Sequence, residues 1–470
     1  MSFLVNWGNL DRPAIFTDNG QAISYGQLRN NILAVANVLI EKRLIFIVGS
    51  NDISTITTYL ACLERKVVPL LLSAELAINS LENLINVYNP YYLFLPKVIA
   101  NKRTNLKVLI QINDYVLSYC NSGEDRELNP DLALLLTTSG STGSPKLVRL
   151  SASNILSNTK AIIEYLDINE DERSITTLPF NYSYGLSILN SHLHAGASIV
   201  LTNRSFFDQQ FWNIMKSLNI TNLAGVPYTY EMLMKIRFNR MHLPFLRTLT
   251  QAGGKMPDEL AKRVIDVCVE KNIRLIMMYG QTEASPRMAY LPADKSLSKL
   301  GSIGRAIPGG RLWIESEQGT EVAESNILGE LIYSGPNVAL GYAEIPEDLF
   351  RGNDWGGVLR TGDIAYKDDQ EYFYIKGRIS RFLKIFGVRI SLDEIESWYY
   401  KRGISAAAYG LDDLLMVTIE SEKEISQGSE VNALSSYLHI HSSAIVISCS
   451  THLPRLSSGK LDYASLKATQ

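Results

Sequence analysis

The run Leu134-Leu135-Leu136-Thr137-Thr138-Ser139-Gly140-Ser141-Thr142-Gly143-Ser144-Pro145-Lys146 passes from an apolar stretch into a loop rich in hydroxyls and glycine, and ends in a lysine. Residues of these types can handle phosphate. Gly140 and Gly143 let backbone N–H groups come close to phosphoryl oxygens. Thr138, Ser139, Ser141 and Thr142 add hydroxyl donors, and Lys146 adds a compact positive charge. No Gly-Lys-Ser/Thr opens a helix here. Pro145 intervenes and Leu147-Val148-Arg149-Leu150 reads as a strand, which excludes the phosphate loop of kinases and GTPases. Taken alone, the same composition also suits an ordinary Ser/Gly hairpin loop.

Further short runs carry polar chemistry: Tyr279-Gly280-Gln281-Thr282-Glu283, Leu359-Arg360-Thr361-Gly362-Asp363, Gly377-Arg378 and Pro454-Arg455-Leu456-Ser457-Ser458-Gly459-Lys460. Glu283 is a hard oxygen donor of the kind Mg²⁺ takes alongside phosphate oxygens. Lys460 follows Ser457-Ser458-Gly459, a flexible segment able to present an ammonium deep in a cleft. Each has a plain structural alternative. Tyr-Gly-x-Thr-Glu suits a strand ending in a turn, Asp363 a turn residue after Gly362, and Lys460 a solvated lysine.

The elements that must position these residues are legible in outline. A chain of 470 residues is too long for one core and implies two or more domains. Hydrophobic content of 46% with 20% charged residues fits a globular protein, and the net charge of −3 gives no reason to expect nucleic acid or an anionic membrane. The four cysteines, Cys62, Cys120, Cys268 and Cys449, lack metal-ligand spacing and read as buried thiols in a reducing compartment. Met1 to Trp7 lacks the regions of a signal peptide. Val67 to Ile78 is too short and too interrupted to span a bilayer, so a cytoplasmic location without membrane insertion is expected. Leu28, Ile32, Val35, Val38 and Leu39 share one face of a helix predicted over Gln27 to Lys42, and a strand follows over Leu44 to Val48. The alternation continues through Thr55 to Leu63, Val67 to Leu72, Ser80 to Val87 and Tyr91 to Leu95. This predicts an α/β protein whose large body has layered, largely parallel sheets. Near Gly377-Arg378 the pattern changes. Phe382 to Ile385 and Val388 to Ile390 read as short strands around Gly387, and Ser391-Leu392-Asp393-Glu394 as a capping box opening a helix to about Tyr400. Strands over Ala406 to Tyr409, Leu414 to Glu420 and Ala444 to Ser448, with a helix over Val431 to Leu438, complete a small α+β unit. The expected domains are therefore 1–379 and 380–470.

Together the runs stand in the order and relative placement of the core motifs of the adenylate-forming superfamily, which the chain resembles from about Ile23 to its end. That superfamily includes acyl-CoA synthetases, nonribosomal peptide synthetase adenylation domains and luciferases. The resemblance implies a large N-terminal domain, a small mobile C-terminal lid and a site between them. It implies reaction of a carboxylic acid with ATP to give an acyl-adenylate, then transfer to a thiol. By resemblance, Thr138, Ser139, Ser141, Thr142 and Lys146 would hold the β- and γ-phosphates, with Gly140 and Gly143 in close approach. Tyr279 would pack on adenine, Thr282 would contact the α-phosphate and Glu283 would hold Mg²⁺. Asp363 would bind the ribose, with Arg378, Gly254 and Gly280 as further nucleotide contacts. Lys460 would bridge the acid and the α-phosphate as the catalytic lysine, with Thr282 and Glu283 beside it. At the hinge, where the family usually has Asp or Lys, this chain has Ser380 followed by Arg381.

Amino-acid-activating members hold an aspartate where this chain has Asn181, and an amide cannot supply the countercharge that a desolvated ammonium needs. The expected substrate is thus a small carboxylic acid without a free α-amine, short and polar or aryl, although Asn181 could equally cap a local turn. Tyr182, Tyr184, Gln251 and Gly253 are the other expected pocket residues. The acceptor is CoA or a phosphopantetheinyl acyl or peptidyl carrier protein supplied in trans. Three alternatives stay open: activation of an amino acid, transfer to an amine or hydroxyl, and a non-catalytic nucleotide-binding protein on the same fold.

Overall fold

The computed structural model describes residues 4–103, 106–120, 128–137, 146–421, 426–456 and 459–468. Ser24 accepts from the Gln27 amide while the Gln27 side chain returns to the Ser24 amide, and this reciprocal cap starts the helix Tyr25–Ala36. The helix ends earlier than its apolar spacing predicts. The Val38 and Leu39 amides turn to the carbonyls of Val35 and Ala36, so the spacing runs on into a tighter turn. Next come the strand Leu44–Gly49, the helix Ile53–Glu64, the strand Val68–Ser73, the helix Ile78–Tyr88 and the strand Tyr92–Pro96.

Two large sheets form the body. One has eight strands, with Leu44–Gly49 parallel to both Val68–Ser73 and Tyr92–Pro96 at its centre. The other has nine, and its middle strands Asn222–Gly225, Thr248–Gln251 and Arg274–Gly280 run parallel. The expectation of largely parallel sheets needs correcting. Both sheets carry antiparallel edges, and a third sheet built from Arg311–Glu315, Gly329–Ser334, Val358–Lys367 and Phe373–Arg378 is wholly antiparallel. Hairpin-linked strands of this kind alternate buried and exposed residues, as Val358–Lys367 does, and so tolerate one wet face.

From Phe382 onward the chain packs around a separate apolar cluster that includes Leu383, Ile385, Ile395, Tyr399, Val417, Leu434 and Ile447. A hairpin pairs Phe382–Ile385 with Val388–Ser391, turning through Phe386 and Gly387 at φ 48° and 89°. Positive φ at both turn positions matches the strand twist. Ser391 caps the helix Leu392–Lys401, and a three-stranded sheet of Ala406–Leu411, Leu414–Glu420 and Ile445–Ser450 completes the unit. Among the described residues no helix is long and apolar enough to cross a membrane.

Candidate active site

Three neighbouring parallel strands of the nine-stranded sheet end at Gly225, Gln251 and Gly280, and the residues just beyond them form one wall of a cleft. Carboxyl ends of parallel strands are where open α/β sheets place ligands. The wall requires glycine. A Cβ on Gly280 would collide with the Pro286 carbonyl, and one on Gly253, at φ 84°, with the Tyr182 hydroxyl. Gln251 is buried and donates to the Gly254 carbonyl at 2.8 Å, so it braces the Ala252–Gly254 turn instead of facing open space.

Past Gly280 the chain makes a short turn over Thr282–Ala284. The Thr282 hydroxyl lies 3.1 Å from that of Ser183, the first residue of the helix Ser183–Ala195. Glu283 accepts from the Tyr342 hydroxyl at 2.7 Å. Tyr342 arrives on the strand Gly341–Ala343, which pairs with Leu147–Arg149 and so sits beside Lys146. The Lys146 ammonium lies 5.4 Å from the Tyr342 ring centre and pairs with Glu344 at 2.7 Å. Thr138, Ser139, Gly140, Ser141, Thr142 and Gly143 lie outside the described residues.

The strands Val358–Lys367 and Phe373–Arg378 bring Asp363 directly opposite Arg378. The Asp363 carboxylate is buried and fully engaged. It accepts from the Tyr279 hydroxyl, from Gln281 at 3.1 Å and from Arg378 at 3.0 Å. Burial and the facing Asp363 carboxylate push the Tyr279 phenol well above its ordinary range, so it donates as a neutral hydroxyl.

Lys460 reaches this wall from the C-terminal unit. Its ammonium lies 5.2 Å from the Tyr182 ring centre, and its stem runs against Gly253. Arg455 stacks over Tyr228 at 4.4 Å on the same side. Burial, then the Arg378 guanidinium, lower the Lys460 ammonium to about 8, with Glu283 opposing. The structure thus brings Lys460, Arg378, Glu283, Tyr182 and Gly253 to one place.

Asn181 precedes the helix Ser183–Ala195 and is half-buried, and its side chain makes no hydrogen bond among the described residues. Asn51 holds the turn before it, bonding the Leu178 carbonyl and the Phe180 amide. Tyr184 differs from expectation. The helix turns it into the core, where it is 1% exposed and its hydroxyl donates to the Thr250 carbonyl at 2.9 Å. It backs the pocket and does not line its mouth.

Around the expected hinge, Arg378 is tied to Asp363, while Arg381 pairs with Asp393 and with Glu396 at 2.8 Å and stacks on Tyr463 at 4.3 Å. Ile379 and the exposed Ser380 lie between these two anchors. Tyr342 and Ser183 were missed by sequence reasoning. An isolated strand aromatic and a helix-opening serine carry no spacing signal. A cavity of about 860 Å³, lined in part by Pro130, Ser151, Gly335 and Gly357, holds none of the site residues.

Among known proteins, the chain superposes on o-succinylbenzoate CoA synthetase from Bacillus subtilis, solved in complex with an acyl-adenylate intermediate, with a TM-score of 0.78. The two are 22% identical, and the match covers 97% of this chain and 95% of that one, which shows a shared fold. In sequence it is 30% identical over 263 residues to 2-succinylbenzoate–CoA ligase of Bacillus cytotoxicus, covering 56% of this chain and 53% of the relative. It is 31% identical over 283 residues to indoleacetate–CoA ligase of Aromatoleum aromaticum, covering 58% and 53%. The chain therefore spans about half the length of the curated relatives it matches. The AMP-binding enzyme profile takes in residues 7–343, including the wall that carries Gly253, Tyr279, Thr282 and Glu283, and the chain belongs to the AMP-binding enzyme family.

Proposed function

We propose that this protein uses ATP to convert a carboxylic acid lacking a free α-amine into an acyl-adenylate and then passes the acyl group to the thiol of CoA. One observation carries the reading. The Lys460 ammonium, the Arg378 guanidinium and the Glu283 carboxylate converge at the carboxyl ends of the parallel strands, next to Asp363. In the first step the acid's carboxylate oxygen bonds the α-phosphorus and pyrophosphate leaves. Two anions must approach, so fixed positive charge is what the site has to supply. Lys460 and Arg378 provide it, while Asp363 and Tyr279 hold Arg378 in place. In the second step the thiol sulfur bonds the acyl carbon, AMP leaves and the thiol proton passes to solvent.

Among the described residues no group of three or more His, Cys, Asp or Glu could hold a metal by itself. The lone carboxylate of Glu283, oriented by Tyr342, suits Mg²⁺ carried mainly on phosphate oxygens. Such an ion would neutralise charge on the triphosphate. The unpaired amide of Asn181 supports an acid without an ammonium, as do the relatives, named for 2-succinylbenzoate and indoleacetate.

ATP–pyrophosphate exchange with Mg²⁺ over a panel of aryl, short polar and amino acids tests this. Exchange with an amine-free acid is expected, with Lys460→Ala lowering it at least ~10²-fold, the cost of one preorganised donor, and leaving ATP binding largely intact. Exchange confined to α-amino acids would overturn the substrate reading. Exchange undiminished in Lys460→Ala would overturn the mechanism.

A further inference from the structure

Lys460 hangs on a tight loop whose backbone closes on itself. Arg455 and Leu461 face each other as an antiparallel pair, the Leu456 amide donates to the Lys460 carbonyl at 2.8 Å, and the Gly459 amide donates to the Leu456 carbonyl at 2.8 Å. The carbonyl of Gly459, one peptide before the lysine, is taken by a side chain: the Arg455 guanidinium donates to it at 3.2 Å. Gly459 stands at φ 80°, and a Cβ there would come within 2.9 Å of Val226 Cγ2. The loop backbone therefore lies directly on the wall of the cleft, at a point that only glycine allows.

The same guanidinium also reaches outward. It lies 4.4 Å from the ring centre of Tyr228, within the range of an attractive cation–π contact. Tyr228 is a fixed part of the wall. It is the second residue of the helix Pro227–Lys235, which opens one residue after the strand Asn222–Gly225. On one side of it, the Pro227 ring lies 3.3 Å from where a Cβ on Gly254 would stand. On the other, the Tyr230 hydroxyl donates to the Thr250 carbonyl at 2.7 Å and ties the helix start to the strand Thr248–Gln251. Arg455 thus grips the loop with one N–H and the wall with the face of its guanidinium.

A lysine ammonium rides on a flexible four-carbon stem, so its placement depends on where the backbone beneath it is held. A shift of roughly 1 Å in a catalytic group can cost on the order of 10²-fold in rate, which lets a contact remote from the chemistry matter. We infer that Arg455 is the positioning residue of Lys460, setting through Tyr228 and the Gly459 carbonyl the height at which the lysine enters the cleft. This rests on the acid-activating reading above and deepens it, because Arg455 acts on the reaction only through Lys460.

ATP–pyrophosphate exchange on the full chain, with the acid the wild type uses best, tests this. Arg455→Ala should lower kcat about tenfold or more, the order of one hydrogen bond to a charged group, and change KM for ATP less than about twofold. Arg455→Lys, which keeps a cation over Tyr228, should recover part of the loss. Tyr228→Leu should lower kcat about three- to fivefold, the order of an exposed cation–π contact, and Tyr228→Phe, which keeps the ring, should stay near wild type. In a Lys460→Ala background, Arg455→Ala should cost nothing further, whereas a general loss of structure would lower both backgrounds alike. A kcat in Arg455→Ala within about twofold of wild type, or an equal loss in the Lys460→Ala background, would overturn the inference and leave acid activation standing. If no acid supports exchange, acid activation fails, and amide hydrogen exchange decides the inference alone. The Leu456 and Gly459 amides should then exchange at least about threefold faster in Arg455→Ala and Tyr228→Leu than in the wild type. Unchanged protection would overturn it.

Discussion

At the scale of single residues, the site works by placing charges where water is scarce. Lys460 titrates near 8 because it is partly desolvated and faces Arg378. Its charged form is the one below that value, so kcat/KM for the acid should fall as pH rises through about 8, since this ratio reports groups of the free enzyme. In Lys460→Arg the basic limb should move beyond the measurable range at a lower plateau, and a pH–rate profile checks both. Tyr342 makes a second prediction. Its hydroxyl is the one hydrogen-bond donor to the Glu283 carboxylate among the described residues. Tyr342→Phe should raise the Mg²⁺ needed for half-maximal exchange by up to about tenfold with little change in folding, because one hydrogen bond to a charged group is lost. Much of this was legible beforehand. Glu283, Asp363, Arg378 and Lys460 sit in short runs that stand out through the resemblance of their order and placement to the superfamily's motifs, and the structure brings them to one place. Tyr342 and Ser183 do not stand out, because each acquires its role from a strand or helix that meets the site only in three dimensions.

At the scale of elements, capping and turn chemistry were the readable features. Ser391 caps its helix where the sequence indicates, and Gly387 turns the hairpin it flanks. Sheet direction was less readable, because apolar runs do not reveal whether a neighbour arrives parallel or antiparallel. The helix Ser183–Ala195 carries a further consequence. Burial lowers the His192 imidazole to about 4, with its bond to Ile188 opposing. Unfolded histidine titrates near ~6.5, so between these values the unfolded chain takes up a proton that the folded one refuses. Stability should therefore drop as pH falls from about 6.5 towards 4, by up to ~1.4 kcal/mol per pH unit. In His192→Gln, whose amide can still donate to Ile188, the slope of melting temperature against pH across that window should flatten.

At the scale of the whole molecule, two bodies with separate cores meet across a joint of two residues, Ile379 and Ser380, flanked by arginines tied to opposite sides. A joint this short between firm anchors concentrates any rotation on a few dihedrals. Ser380→Pro, which restricts that backbone, should slow acyl transfer to CoA more than ATP–pyrophosphate exchange, and measuring the two half-reactions separately checks this. The joint also makes Lys460 a tethered reagent. Its own contacts with the wall, with Gly253 and Tyr182, are few. The lysine is therefore held at the site by the joint together with neighbouring contacts such as the Arg455–Tyr228 stack, and lengthening the joint would lower the effective concentration of the ammonium there.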